Sequence, residues 1–136
     1  MNFLAIFVAS MAAFVIGAIW FGPKTFYPIW VKELGQDPEA RITRTPAALM
    51  FSLTYVAQLA GAFAIALVLE LVEAAHGSVT LVDGLTVGLV LGVLVAAAAS
   101  LSHRLFAQQG LKVWAIEVGN DIAAIVAMAL IIAAWR

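Results

Sequence analysis

Cysteine is missing from these 136 residues, and only 11% of them are charged. Without a thiol there is no disulfide framework, no thiolate metal site and no cysteine nucleophile. Soluble domains carry about a quarter charged residues, so the shortage of charge removes water as the solvent for most of this chain. A basic surplus is lacking too. The formal net charge is −1, whereas a nucleic-acid surface shows a basic patch, so no nucleic-acid partner is expected. The opening stretch MNFLAIFVAS has no basic residues ahead of its apolar run, and no clear small-x-small cleavage site precedes Pro23. It reads as a retained transmembrane helix and not as a secretory signal.

What is present is hydrocarbon: 65% of the residues are hydrophobic and the mean hydropathy is +1.07. An apolar helix needs about 20 residues to cross the core of a bilayer. Four runs qualify, predicting helices over about 2–22, 47–72, 82–103 and 112–135 within one integral membrane domain, 1–136. The expected architecture is an all-α, four-transmembrane-helix antiparallel bundle. Its second and third connections are short, which forces neighbouring helices to run in opposite directions.

The first connection is long and holds several prolines, so no single helix runs through it. Its piece PIWVKELG fits a short interfacial helix, started by Pro28 and stopped by Gly35. Phe26 and Tyr27 belong at headgroup level, and Trp20, Trp30, Trp114 and Trp135 read as interface anchors at the ends of the spans. Lys24, Lys32, Arg41, Arg44, Arg104 and Lys112 fall on one side by helix parity, six of the seven basic residues, and Arg136 on the other. The positive-inside rule then places both termini outside the cytoplasm.

The stretch GAIWFGPKTFYPIWVKELG, with Gly17, Trp20, Phe21, Pro23, Phe26, Trp30 and Gly35 at its marked positions, resembles the opening of a family. That family is the bacterial one catalogued as domain of unknown function 1761. The run SLSHRLFAQQGLKVWAIEVGND has a similar look, with a basic-flanked turn and then a Trp. The resemblance covers nearly the whole chain and implies a four-helix protein of the bacterial inner membrane. It supplies no established activity and no functional residues.

Carboxylates break the fourth run. Measured from Trp114 at 1.5 Å per residue, Asp121 lies about 10 Å deeper, inside a core about 30 Å thick. Glu117, Asn120 and Asp121 are spaced i, i+3, i+4 and share one helix face. One Asp near a helix centre costs about 2.5–3.5 kcal/mol on insertion. Intramembrane ionisable groups raise a functional question by default. Gln58 on the second helix and His103 at the end of the third lie on the same leaflet side, with Ser52, Thr54, Tyr55, Ser100, Ser102 and Arg104 near them. Two readings stay open for this cluster: a hydrated proton- or ion-binding site, or dry interhelical glue that fixes register. Glu117 alone reads better as glue, and His103 as a helix-end residue.

Glu70, Glu73, His76 and Asp83 gather at the opposite end, and a solvated loop end describes them better than a metal site. No metal, cofactor or enzymatic activity is expected, since no phosphate loop, nucleophile elbow or paired-metal spacing occurs. Gly84, Gly88, Gly92, Ala96 and Ser100 recur every fourth residue on the third helix, a face for close helix packing. Ala13–Gly17 and Ala57–Gly61 offer partners within the chain, and a homo-oligomer or another membrane protein is the alternative. Two functions follow. One is a transporter or channel for a proton, ion or small solute, using the intramembrane carboxylate of the last helix. The other is a non-transporting accessory subunit that associates through the small-residue face of helix three.

Overall fold

In a computed structural model describing residues 1–37 and 45–136, every element is a helix and no strand occurs among the described residues. Arg41 and Arg44, counted above in the charge asymmetry, lie outside the described residues. Helix α1 (Phe3–Trp20) is apolar around its whole circumference, the mark of a segment surrounded by protein and lipid. Asn2 caps it, its Oδ1 accepting from the Ala5 amide at 3.1 Å. At the far end the Thr25 hydroxyl donates among the carbonyls of Ile19, Trp20 and Gly22, which backbone amides of the following turn also reach. Helix α2 (Tyr27–Glu33) starts with Pro28 in its first turn and is followed by Gly35 at φ +70°.

Helix α3 (Ala47–His76) is 30 residues long, about 45 Å at the α-helical rise, and so outruns a core of about 30 Å. It extends one turn beyond the 72 expected from the sequence. Gly77 stops it at φ +80°, and its amide closes on the Glu73 carbonyl. Helix α4 (Leu81–Phe106) opens with a reciprocal cap: the Thr80 amide donates to Asp83, and the Asp83 amide donates to the Thr80 hydroxyl. Its middle, Val90–Ala97, is wound as a π-helix. Helix α5 (Gly110–Ala134) follows a turn in which Gln108 and Gly110 take φ +58° and +84°.

All four long helices qualify as membrane spans. Helix α5 is the axis of the bundle, packing on every other helix. The small-residue face of α4 is spent on it. A Cβ on Gly84 would stand 2.7 Å from the Ala133 Cβ, one on Gly88 2.9 Å from the Val126 Cα, and one on Gly92 3.2 Å from the Ile122 Cα. Gly17 and Gly61 also approach α5, at Asn120 and Met128, and do not pair with α4. The four-residue row holds only as far as Gly92. The wider π-turn then carries the contact to Ala97, which is 6% exposed, while Ala96 rotates to a half-buried position.

The core is lopsided. Ile6, Ala9 and Ala13 of α1 meet Ala62, Ile65 and Leu69 of α3 and Ala124, Met128 and Ile132 of α5 in one buried cluster. That cluster occupies the half of the bundle nearest the two chain ends, here the terminal end. The other half, bounded by the first and third connections, is the basic end. There α3 no longer packs closely on α4, because its contact with α4 is concentrated in Leu81–Leu89.

Candidate functional site at the basic end

Glu117 is held from two sides. The Arg104 Nε of α4 lies 2.5 Å from its Oε2, and the Trp30 indole of α2 donates to its Oε1 at 3.0 Å. Arg104 is itself braced by the Gln109 side chain at 2.9 Å. This carboxylate therefore ties α2, α4 and α5 together with its charge matched. Lys112 repeats the tie nearer the surface, pairing with Glu33 at 2.8 Å.

Beside the clamp, the Trp20 indole donates to the Ile116 carbonyl at 2.9 Å and stacks on Phe26 at 4.7 Å between centroids. Its six-membered ring lies where a Cβ on Gly119 would be, 2.6 Å from the Trp20 Cζ2. Trp114 donates to the Ala97 carbonyl and the Ser100 hydroxyl. Three of the four tryptophans proposed as interface anchors thus spend their N–H groups on the protein. Trp135, at the terminal end, is 47% exposed.

One turn deeper the bundle opens. A groove of about 940 Å³ runs between α1 and α3, with α5 contributing Asn120 at its floor. Its walls are mostly apolar: Ala13, Phe14 and Gly17 from α1, Phe21 just past its end, and Met50 and Phe51 from α3. Gln58 and Thr54 supply the other polar side chains, and Thr54 has its hydroxyl committed to the Met50 carbonyl at 2.7 Å. Asn120 is 8% exposed, and its Oδ1 has no hydrogen-bond partner among the described residues. The Asp121 carboxylate belongs to the next residue along α5 and stands one turn from Glu117. It is partly exposed, and among the described residues no cation lies within ion-pair distance of it.

The sequence-predicted residues therefore separate. Asn120 and Gln58 line one groove, with Asp121 the next residue along α5, while Glu117 is drawn into the clamp. His103 is exposed and takes no part. Its neighbour Arg104, one residue further around the helix, is the partner of Glu117. Pairings such as Trp20 with Gly119 and Trp30 with Glu117 went unread in the sequence. A glycine set among bulky residues beside the polar pair was the available signal for the first. At the terminal end Glu70 pairs with the Met1 amino group at 2.7 Å and Glu73 with Arg136, while Asp83 is consumed by its helix cap. No group of three His, Cys, Asp or Glu side chains able to hold a metal forms among the described residues.

The model of a family described as a protein of unknown function (DUF1761) matches residues 4–133. The chain belongs to the DUF1761 family. That match spans all four long helices of this DUF1761 member and takes in every residue of the clamp and the groove. No curated protein and no solved structure matches the chain.

Proposed function

We propose that this membrane protein handles a small solute, proton or ion at a site near the middle of the bilayer, entered from the basic end. Asp121 is its charged element, and Asn120 and Gln58 are its neutral polar partners. The observation that carries this reading is the contrast between two carboxylates one turn apart. Glu117 is matched by a cation and an indole. Asp121 lies partly exposed beside a buried oxygen that has no partner and a groove large enough for a molecule. A residue kept only as glue would resemble Glu117, because leaving a buried polar group unpaired costs free energy.

Lys24, Lys32, Arg104 and Lys112 cluster at the end where the groove opens, so the mouth faces the cytoplasm and both termini face away from it, in the inner membrane of a bacterium. The work is binding and passage, not bond-making. The accessory-subunit reading depended on the small-residue face of the third span, α4, and the glycines of that face are already packed on α5.

A thiol accessibility measurement tests the site. With no native cysteine to remove, Asp121→Cys is exposed to membrane-impermeant thiol reagents from each side, with Lys24→Cys as the surface control. Rapid labelling at 121 from the cytoplasmic side alone is expected. A control that labels while position 121 stays inert from both sides would reject the reading.

A further inference from the structure

The groove chooses its ligand by the sign of what it leaves unpaired. The one buried side-chain atom left without a partner among the described residues is the Asn120 Oδ1, an oxygen with no donor. Whatever completes the site must bring an N–H or O–H to it. Charge narrows the choice further. No Lys, Arg or His lines the groove, Arg104 is committed to Glu117, and the carboxylate of Asp121 lies directly beside Asn120. An anion would find no cation there, whereas a cation finds a carboxylate one residue away. The walls agree, because Phe14, Phe21 and Phe51 are among them and aromatic rings attract a positive charge. At about 940 Å³ the volume is near the upper end of those that enclose drug-sized ligands. A second groove, on the lateral face of α4 and α5 around Leu89, Ile122 and Val126, is apolar throughout. It has no such preference and serves as an internal contrast.

We propose that the groove between α1 and α3 binds a lipophilic ammonium cation, its N–H donated to Asn120 Oδ1 and its apolar body lying among Phe14, Phe21, Met50 and Phe51. The assignment rests on the solute-site reading above and names the chemical class of the solute. Specificity comes from one acceptor and one nearby carboxylate at the closed end of an apolar slot. A protonated amine on a hydrocarbon body satisfies both.

The test uses the full chain in phosphatidylcholine nanodiscs, with empty nanodiscs as the reference for partitioning into lipid. Dodecylamine, dodecanol and dodecanoate present the same chain with a cationic, a neutral and an anionic head. Calorimetric titration is expected to show saturable binding of dodecylamine above the empty-disc background, binding of dodecanol weaker by about tenfold or more, and none of dodecanoate. Gly17→Leu should abolish binding by filling the slot. A Cβ at Gly17 meets only the Asn120 Oδ1, at an ordinary 3.7 Å, so the first carbon of the new side chain fits without a shift. Asp121→Asn keeps the size of the side chain and should weaken binding about tenfold or more, the worth of a hydrogen bond or pairing to a charged group. Equal binding of dodecanol, any preference for dodecanoate, or amine binding that survives Gly17→Leu overturns the assignment. Thiol labelling at position 121 separates the two levels. A labelled site that binds no amine removes this ligand class alone, and an unlabelled one removes the solute site with it.

Discussion

The two ends of the bundle solve the same problem in opposite ways. At the terminal end, alanines at 9, 62, 66, 129 and 133 let three helices close on Leu69 and Met128. Ion pairs of Glu70 and Glu73 with the N-terminal amino group and Arg136 then tie the chain ends down. Asn2 adds a bond to the Trp135 carbonyl at 3.2 Å. At the basic end, aromatic side chains replace alanines, and they prop the helices apart where alanines would draw them together. Trp20 on Phe26 and Phe21 on Trp30 form a buttress, α3 leans on α1 through Phe14, Phe51 and Tyr55, and the groove is the space between. Small residues seal and large ones hold open. Within one leaflet this gives a carboxylate that is neutralised and, one turn deeper, one that is not.

The comparison is broken most severely at the glycines of α4. Gly84→Leu forces a side chain into the Ala129 and Ala133 backbone contact. It should cost at least about 3 kcal/mol, the upper part of the overpacking range, seen as loss of the folded form in a denaturant titration. Gly92→Ala, with more room at 3.2 Å, should be the mildest of that row. Next comes the clamp. In a double-mutant cycle, Arg104→Ala and Glu117→Ala should couple by about 1–3 kcal/mol, with the single Arg104→Ala worse than the pair because it strands a charge. Additive effects would mean that the clamp is not a unit. Gly119→Ala should destabilise by about 1–2 kcal/mol through its clash with Trp20. Trp20→Phe in the same chain should recover part of that loss, since the ring that clashes is then gone. Smallest is the terminal latch: Glu73→Ala removes an exposed ion pair and should change stability by no more than about 1 kcal/mol, less in high salt.

Much of this fold was legible because lipid solvation is read from composition averaged over a whole span, and a mean hydropathy of 1.9 to 2.4 in all four leaves little ambiguity. Positions that depend on one backbone angle were less so. The end of α3 waited on Gly77 at φ +80°. No residue in Val90–Ala97 announces a π-turn, and the slip from Ala96 to Ala97 follows from it. The site was half legible. Spacing put Glu117, Asn120 and Asp121 on one face, and parity put Arg104 and His103 near them. Helical phase near the end of α4, set by the same π-turn, decided that Arg104 and not His103 reaches the carboxylate. Contacts such as Trp30 with Glu117 link residues far apart in sequence, and nothing local encodes them.

The central claim is that the bundle changes from open to sealed over one turn of α5, between Asp121 and the core-packed Ile125. Nitroxides placed singly at 121 and 125 in the reconstituted chain can be read by power saturation with a water-soluble nickel chelate and with oxygen. The account predicts that the chelate relaxes the label at 121 while the label at 125 responds to neither strongly. Equal protection of both positions from the chelate, or equal access to both, would contradict it.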